Sequence, residues 1–313
     1  MEGEKLQLLK GIFGKFHHSN DEYLFHCPKC KHHKRKLSVN LDKDAFKCWI
    51  CDYHGRSLRR IVRKYGDFRT LQKWDKLNGR EDITKFDDIF SEDIEIEQIQ
   101  RLDLPQEFIS LANEELPLAI TPALNYLDNR GITKKDILHW KIGCCMRGEY
   151  NNRIIIPSFD EEGYVNYFIA RTFNGAWKKY LNPPASKDII FNELYLDFDQ
   201  DLTIVEGVFD AVIAGPNAIP ILGSILRESS KLFQQIVKND TPIYIGLDID
   251  AENKSKKIIK DLLNYGIEIY KIDTADYDDI GSMTKKEFLK RKNEAVLYDS
   301  NDYLLYEALG EIK

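Results

Sequence analysis

Residues 202–223 read LTIVEGVFDAVIAGPNAIPILG, and the fold class of the catalytic half of the chain follows from them. LTIV is a short apolar run typical of a buried strand, VFDAVIAG has the pattern of a helix, and NAIPILG predicts a second strand. The same alternation continues through residues 229–273 as SSKLFQQIVKN, PIYIGLDID, AENKSKKIIKDLLNYG and IEIYKID. Short apolar strands that alternate with amphipathic helices predict a parallel sheet covered by helices on both faces.

Acidic residues follow three of these predicted strands. They are Glu206 and Asp210 after LTIV, Asp248 and Asp250 after PIYIGL, and Asp276, Asp278 and Asp279 after IEIYKID. Because ligands of open parallel sheets bind beyond the carboxyl ends of the strands, we expect these carboxylates to converge at one edge. The preference of acidic residues for helix N-termini would explain Asp250 or Asp278 alone, but not Glu206 and Asp248 as well.

Such a cluster of carboxylates repels itself unless cations neutralise it. Carboxylate oxygens suit Mg²⁺ or Mn²⁺, and a pair of such ions supports phosphoryl transfer. The sequence therefore predicts a catalytic site for two such ions. Its expected ligands are Glu206, Asp210, Asp248, Asp250 and Asp279, with Asp276 or Asp278 as alternatives to Asp279.

Two motifs on these strands resemble a known family. VEGVFDA and IGLDID are similar to the signature motifs of the Toprim domain, which primases and topoisomerases share. Upstream, NRIIIPSFDEEGYVNYFIARTF, KKYLNPP and FNELYL resemble the basic half of the polymerase domain of bacterial and phage DNA primases. TPALNYLDNRGITKKDILHWKIG is similar to the segment that precedes it. The resemblance covers residues 116 to about 290 and is strongest to phage-type DNA primases.

The resemblance implies a DNA-directed RNA polymerase, a nucleotidyltransferase that makes short RNA primers on single-stranded DNA from ribonucleoside triphosphates. It also implies that Arg153, Arg171 and Lys179 bind template backbone or the triphosphate of the incoming nucleotide. One departure concerns the third Toprim motif, where primases usually carry a lysine before the aspartate. Here Asp278 stands at that place, so the residue that completes the metal site stays open.

Four cysteines near the start of the chain have the spacing of a zinc site. Cys27 and Cys30 form one Cys-x-x-Cys pair, and Cys48 and Cys51 form another after seventeen intervening residues. This spacing predicts one tetrahedral, structural Zn²⁺ in a zinc ribbon. The alternatives are a pair of redox motifs, or substitution of a cysteine ligand by one of the nearby histidines, His26, His32, His33 and His54.

The residues around the cysteines suit contact with single-stranded DNA. From Cys27 to Tyr65 there are twelve Lys and Arg against three Asp, a balance of +9, although the whole chain carries −6. In primases this module selects the start site, and the residues here that suit this task are His33, Arg35, Lys36 and Trp49. Aromatic faces stack on bases while cations follow phosphates. Trp49 has an alternative role as core of a small domain.

The chain is therefore expected to be a multidomain protein of the α/β and α+β classes. A β zinc ribbon spans residues 1–66, ending in the helix SLRRIVRKYG with Gly66 as its stop signal. An acidic linker spans residues 67–115, with weak periodicity that allows one helical piece. Residues 81–120 carry two Lys and Arg against twelve Asp and Glu, a balance of −10. A basic α+β subdomain is predicted for residues 116–200 and a Toprim subdomain for residues 201–313. RIIIPSF and YVNYFIART predict a β-hairpin, and Thr caps two short helices.

Partners and location follow from what the sequence lacks. It contains no Gly-x-x-x-x-Gly-Lys-Ser/Thr loop, so the replicative helicase is expected to be a separate protein. A single-strand-binding protein and a DNA polymerase are further expected partners. No apolar run of about 18 residues and no secretion signal are present, so we expect a cytoplasmic protein with no membrane contact, in the host cell if a phage encodes it. The alternative functions are a Toprim nuclease and a zinc-ribbon DNA-binding or recombination protein.

Overall fold

The computed structural model describes residues 2–19, 22–78, 100–223, 226–247 and 252–298. They form two compact units: the first contains residues 2–78 together with residues 238–240, and the second contains the described residues of 100–237 and those from 241 onward. Within the described ranges, no helix is long and apolar enough to cross a membrane.

The first unit is a five-stranded antiparallel sheet flanked by helices. Its strands pair in chain order and are β1 His17–Ser19, β2 Glu22–Phe25, β3 Leu37–Asn40, β4 Ala45–Cys48 and β5 His54–Gly55. Its helices are α1 Glu2–Phe13, α2 Leu58–Tyr65 and α3 Phe68–Leu77. The antiparallel sheet with its four cysteines confirms the predicted β zinc ribbon.

Helix α2 matches the predicted SLRRIVRKYG. The hydroxyl of Ser57 accepts a hydrogen bond from the Arg59 N–H at 3.2 Å and caps the first turn. Gly66 follows the last turn, and a β-carbon there would lie 2.5 Å from the carbonyl oxygen of Val62. Because only glycine tolerates so close an approach, the helix ends at the residue that the sequence indicated.

Helix α3 packs with the ribbon. Its Trp74 is 2% exposed and lies in one apolar cluster with Leu9 and Phe25. The carboxylate of Asp67 accepts a hydrogen bond from the Thr70 N–H at 2.7 Å and caps the helix. The sequence assigned these residues to the acidic linker, and the structure corrects that assignment for residues 68–77. The reason is that the helix buries Trp74, which ties it to the first unit.

The second unit contains a four-stranded antiparallel sheet. Its strands pair in chain order and are β6 Ile109–Ser110, β7 Gly143–Cys145, β8 Arg153–Phe159 and β9 Val165–Thr172. Helices α4 Thr121–Asp128 and α5 Lys134–His139 lie between β6 and β7 in the chain. The β8–β9 pair is the predicted hairpin. Strand β6 falls within residues 67–115, so that range also supplies an edge strand to the second unit.

The two threonine caps have different outcomes. Thr133 and Asp136 form the predicted cap on α5: the Asp136 carboxylate accepts from the Thr133 N–H at 2.8 Å. The cap predicted at Thr121 is wrong, because its hydroxyl donates to the Leu118 carbonyl at 2.8 Å instead of accepting from the helix. A 3₁₀ turn, Leu118–Ile120, precedes α4 and takes up that hydroxyl.

A second sheet carries the alternating pattern from which the fold class was predicted. Its strands are β10 Leu202–Val205, β11 Ala218–Pro220, β12 Ile243–Gly246, β13 Ile269–Lys271 and β14 Val296–Tyr298. Their spatial order is β11-β10-β12-β13-β14, parallel except for β14. The associated helices are α6 Val208–Ala214, α7 Lys231–Asn239, α8 Glu252–Asn264 and α9 Lys285–Glu294.

This topology fixes where a ligand site lies. The chain passes from β10 to β11 on one side, and then to β12 on the other side of β10. In such sheets a crevice opens beyond the carboxyl ends of the two strands at which the order reverses. The residues that follow β10 and β12 are therefore the ones that face a common edge. The boundaries predicted at residues 116 and 201 stay predictions.

Candidate functional site

The four cysteines lie together in the first unit. All four sulfur atoms lie within 4.8 Å of one another, and the Cys27–Cys51 and Cys30–Cys48 sulfurs are each 3.8 Å apart. Zinc–sulfur bonds of about 2.3 Å in a tetrahedron separate the sulfurs by about 3.8 Å. The cluster therefore fits one zinc ion with a complete set of four thiolates. Because no position is left for a substrate, the zinc it holds is structural.

The two cysteine pairs form matching turns. The Lys31 N–H donates to the Cys27 carbonyl at 2.9 Å, and the Asp52 N–H donates to the Cys48 carbonyl at 3.0 Å. Lys31 and Asp52 both have a left-handed backbone, with φ of 50° and 54°. Each turn thus points both sulfurs of its pair toward the same point.

The nearby histidines make other contacts. The Nδ1 atom of His26 lies 3.3 Å from the His32 carbonyl oxygen, and that of His54 lies 2.6 Å from the Asp52 carbonyl oxygen. The rings of His32 and His33 lie 4.3 Å apart between centroids. Within the described residues, the group that could hold a metal consists of the four cysteines. Substitution of a cysteine ligand by histidine is therefore not supported.

The predicted template residues Arg35, Lys36 and Trp49 line one cavity on the ribbon. Its volume is about 520 Å³, and Lys43 and Glu22 also contribute to its wall. Trp49 is 62% exposed, so the alternative that it is a core residue is wrong. The backbone N–H of Trp49 donates to the Lys36 carbonyl at 2.9 Å, and the Nζ atom of Lys47 lies 5.3 Å from the indole ring centre. His33, the fourth predicted residue, is exposed and does not line this cavity.

Sequence reasoning missed Lys43, which adds a third cation to this cavity. Lys43 lies in the turn between β3 and β4, and its N–H donates to the Asn40 side chain at 2.8 Å. A signal was present, because Lys43 belongs to the basic segment from Cys27 to Tyr65. The cavity thus combines an exposed indole with Arg35, Lys36 and Lys43.

The acidic residues of the second unit meet at the carboxyl edge of the parallel sheet. Strand β10 ends at Val205, opposite Gly246 of β12. Glu206 follows directly, and its Oε2 atom is shielded from solvent. Asp210 lies in the first turn of α6 and is buried. The Gly207 N–H donates to Asp210 Oδ2 at 2.8 Å, and the Gly281 N–H donates to Asp210 Oδ1 at 2.9 Å.

The neighbouring carboxylates and burial both affect the pKa of Asp210. Burial raises the pKa of Asp210 to about 6, and the negative charges of Asp279 and Glu206 act in the same direction. The N–H groups of Gly207 and Gly281 oppose this rise. Mutual repulsion between neighbouring carboxylates is the electrostatic condition that a bound cation relieves.

The three aspartates that follow β13 have different surroundings. A β-carbon built on Gly281 would lie 2.6 Å from Asp210 Oδ1 and 3.5 Å from Asp279 Oδ1, so both carboxylates border Gly281. Asp276 instead lies 3.4 Å from the guanidinium of Arg291, and Asp278 is exposed. The structure therefore brings Asp279 to the edge that holds Glu206 and Asp210.

Asp248 and Asp250 lie outside the described residues. Strand β12, which precedes them, runs parallel to β10 in register with it. Its last residue, Gly246, packs against Ile280, the neighbour of Asp279. The end of β12 therefore lies between the residues that follow β10 and those that follow β13.

The three predicted basic residues have different environments. Arg153 is buried, and its guanidinium donates to the carbonyls of Lys178 at 3.0 Å, Lys179 at 3.3 Å and Ala170 at 3.4 Å. Burial lowers the pKa of this guanidinium. Because its donors serve these carbonyls, direct phosphate binding by Arg153 is not supported. The contacts instead fix the segment that carries Lys179.

Arg171 lies in β9, and Lys179 precedes Tyr180, which forms an isolated antiparallel bridge with Arg171. Arg171 is half-buried, with its guanidinium 4.8 Å from the ring centre of Tyr180. Burial disfavours its charge, but Tyr180 and Tyr126 outweigh that effect and raise the pKa of Arg171. Lys179 is exposed, and its carbonyl accepts a hydrogen bond from the Thr172 N–H at 3.0 Å. Lys179 is thus a surface cation on a positioned backbone.

A four-cysteine ribbon and an open, mostly parallel α/β sheet with carboxylates at one edge define the class of this protein. It is a two-unit protein with a structural zinc site and a second unit of α/β and α+β type. No family model matches the chain.

The known proteins that the chain resembles are DNA primases. It is 24% identical over 282 residues to the DNA primase of Helicobacter pylori strain 26695, covering 76% of this chain and 49% of that protein. It is 22% identical over 308 residues to the DNA primase of Staphylococcus aureus strain MSSA476, covering 80% of this chain and 50% of that protein. The chain spans about half the length of these relatives.

Solved structures give the same result for the fold. A DnaG primase catalytic domain bound to single-stranded DNA aligns with a TM-score of 0.53 and 18% identity, over 62% of this chain and 77% of that one. The Escherichia coli primase catalytic core aligns with a TM-score of 0.50 and 18% identity, over 62% and 79%. The predicted fold class and the resemblance to DNA primases are confirmed.

Proposed function

We propose that the chain is a DNA primase, which joins ribonucleotides into short RNA primers on single-stranded DNA. The observation that carries this proposal is the convergence of Glu206, Asp210 and Asp279 at the carboxyl edge of a sheet with the fold of primase catalytic domains. The ribbon is proposed to select the start site, and the acidic edge to be the place of nucleotide addition.

The residues of the edge have separate roles in this proposal. Asp210 holds the turn after β10 and the loop after β13 together through both carboxylate oxygens. Glu206 and Asp279 offer their carboxylates to cations, together with Asp248 and Asp250 from the end of β12. Two Mg²⁺ or Mn²⁺ ions held by these carboxylates would supply Lewis acidity toward a nucleotide hydroxyl and toward the pyrophosphate leaving group.

The reaction is a direct transfer. The 3′-hydroxyl oxygen of one ribonucleotide forms a bond to the α-phosphorus of the next, the bond to pyrophosphate breaks, and the hydroxyl proton goes to solvent. No covalent intermediate with the protein forms. Lys179 and Arg171 are proposed to bind the triphosphate or template phosphates, which bring negative charge to an already acidic site. Arg153 is a positioning residue, because it fixes the backbone of Lys179.

The ribbon cavity is proposed to hold an unpaired template base. Trp49 offers an exposed face for stacking, and Arg35, Lys36 and Lys43 offer charge for the adjacent phosphates. His33 lies on the same module and is proposed to contact template outside the cavity. A separate helicase, a single-strand-binding protein and a DNA polymerase are the proposed partners, with action in the cytoplasm.

The test is synthesis of labelled oligoribonucleotides on single-stranded DNA of random sequence, with four ribonucleoside triphosphates and Mg²⁺. Asp279→Asn should abolish product, whereas Asp276→Asn, in the same loop but paired with Arg291, should leave it within about twofold. Removal of Mg²⁺ should abolish synthesis. Equal activity of the Asp279→Asn and Asp276→Asn variants would contradict the assignment of Asp279 as a metal ligand. Cleavage of the template without RNA product would identify a Toprim nuclease, and DNA binding with neither reaction would identify a DNA-binding or recombination protein.

A further inference from the structure

The second unit contains a cavity lined by residues other than those assigned to primer synthesis. Its volume is about 600 Å³, and its walls come from the β8–β9 turn, residues 186–190, the 3₁₀ turn Glu193–Tyr195 and helix α7. It shares no residue with the acidic edge or with Arg153, Arg171 and Lys179. The turn that borders it lies at the opposite end of β8 from Arg153, about 20 Å away at about 3.3 Å per residue.

Carboxylates dominate the wall of this cavity. They belong to Asp160, Glu161, Glu162, Asp188 and Glu193. Lys231 is the cation among the lining residues, so the wall carries more negative than positive groups. Burial raises the pKa of Glu193 to about 7, Glu161 and Asp160 act in the same direction, and Lys231 opposes them. The cavity is therefore short of positive charge.

Asp160 supplies an independent observation. It is 9% exposed, and its Oδ1 atom accepts hydrogen bonds from the Glu162 N–H at 3.1 Å and the Tyr164 N–H at 2.8 Å. Its Oδ2 atom is buried and accepts no hydrogen bond from any residue that the structure describes. A buried carboxylate oxygen without a donor is unfavourable, so it points to a donor that a bound molecule supplies.

Hydrogen bonds behind the wall hold the cavity open. The side chain of Gln100 donates to the Asn166 carbonyl at 2.7 Å and accepts from the Ser186 N–H at 2.9 Å. The Ser158 hydroxyl donates to the Asn166 side chain at 2.6 Å and accepts from the Asn192 N–H at 2.9 Å. Both strands of the hairpin and the segment before Glu193 are thereby fixed, so the carboxylates are arranged before any ligand arrives.

We propose that this cavity binds a linear aliphatic diamine or polyamine. Among the described residues, these acids do not bring three ligand atoms within 4.8 Å of one another, so they do not surround a single metal ion. The volume is in the range of small-molecule sites. Ammonium groups donate three hydrogen bonds each and accept none, which matches separated carboxylates such as Asp160 and Glu193. Ile189 and Ile190 also line the cavity and suit methylene groups.

The experiment is isothermal titration calorimetry on the full chain, without DNA or nucleotides, with spermidine, 1,4-diaminobutane and n-butylamine. We expect one saturable site for spermidine, weaker binding of the diamine and none of the monoamine. Glu193→Gln and Asp160→Asn should each lower spermidine affinity by about tenfold or more, since each removes a charged acceptor. The asparagine of Asp160→Asn keeps an Oδ1 atom that can accept the hydrogen bonds from the Glu162 and Tyr164 N–H groups, so the fold is preserved. Glu114→Gln, an exposed acid outside the cavity, should bind as the unchanged chain does.

The two cavity variants and the outside control separate this site from general attraction to an acidic protein. Equal affinity in all three variants, or several weak sites in place of one, would overturn the proposal. Displacement of spermidine by Mg²⁺ at equal concentration would also overturn it, because it would reveal a site for inorganic cations. The proposal is independent of primer synthesis, so loss of one does not bear on the other.

Discussion

The backbone N–H of Gly281 donates a hydrogen bond of 2.9 Å to Asp210 Oδ1, across 71 residues of sequence. Asp210 Oδ2 accepts from the Gly207 N–H in its own turn. One buried carboxylate thus joins the loops that carry Glu206 and Asp279. Asp210 therefore sets the spacing of the proposed metal ligands Glu206 and Asp279, while its own two oxygens accept hydrogen bonds from backbone N–H groups.

Gly281→Ala tests this relationship. A β-carbon at Gly281 would lie 2.6 Å from Asp210 Oδ1, so the carboxylate or the loop must move. We expect primer synthesis to fall by at least about tenfold and the urea midpoint of the second unit to drop, because displacement of a buried carboxylate loses about 1–3 kcal/mol.

Gly11→Ala in helix α1 is the matched control. A β-carbon there has no atom within 4 Å, so the substitution should stabilise the helix by up to about 1 kcal/mol. Unchanged synthesis in Gly281→Ala would show that the Asp210 link does not position the edge.

Zinc removal should affect the ribbon alone. Cys48→Ser takes away one of four sulfurs that lie within 4.8 Å, and we expect zinc content to fall from one per chain toward zero, with loss of start-site choice. Cys144→Ser, in the second unit, should keep one zinc. Elemental analysis and sequencing of the primer starts are the measurements. Retained zinc in Cys48→Ser would contradict the four-sulfur site.

The sequence predicted the elements whose signal is local. The apolar runs around Ile204 and Ile245 predicted the parallel strands, and the cysteine spacing predicted the zinc site, since each needs only neighbouring residues. Features that depend on distant pairing were missed. Trp74 falls in the predicted linker, because the local sequence does not show that its helix packs on the ribbon core. Arg153 was predicted to bind phosphate, because the local sequence does not show that the carbonyls of residues 178 and 179 accept its hydrogen bonds.

Arg153 and Lys179 should respond differently to substitution. Arg153→Ala removes the guanidinium donor of the Lys178 carbonyl and one of the two donors of the Lys179 carbonyl, which keeps the Thr172 N–H. It should destabilise the second unit by about 1–3 kcal/mol in urea unfolding. Lys179→Ala removes an exposed cation and should leave stability within about 0.5 kcal/mol. It should instead raise the KM for ribonucleotides or weaken template binding. The reverse pattern would show that Arg153 is the phosphate ligand.

The stability of the second unit should depend on Glu193. Burial, Glu161 and Asp160 raise the pKa of Glu193 to about 7, above its ordinary value of 4.5. The folded state then binds more protons than the unfolded state between these values, so the stabilisation present below about pH 4.5 is lost as pH rises through 7. Urea midpoints should fall less between pH 5 and pH 8 in Glu193→Gln than in the unchanged chain.

The exposed Glu115→Gln is the control for that measurement, and it should reproduce the pH profile of the unchanged chain. An identical profile in Glu193→Gln would mean that the carboxyl titrates near its ordinary value. The titrations are to be run without amines, since a cation in the cavity would lower the pKa of Glu193.

Trp49 and Lys36 should contribute to template binding through different forces. Trp49→Ala removes an exposed stacking surface, worth about 1–3 kcal/mol per base, and should weaken binding of single-stranded DNA without changing its salt dependence. Lys36→Ala removes a phosphate contact and should reduce the slope of log affinity against log salt by about 0.7. Fluorescence anisotropy across a salt series measures both.

Lys76→Ala, outside the cavity on helix α3, is the matched control and should change neither quantity. If Trp49→Ala alters the slope and not the affinity, the indole does not stack on a base, and the ribbon cavity is not the place where the template is read.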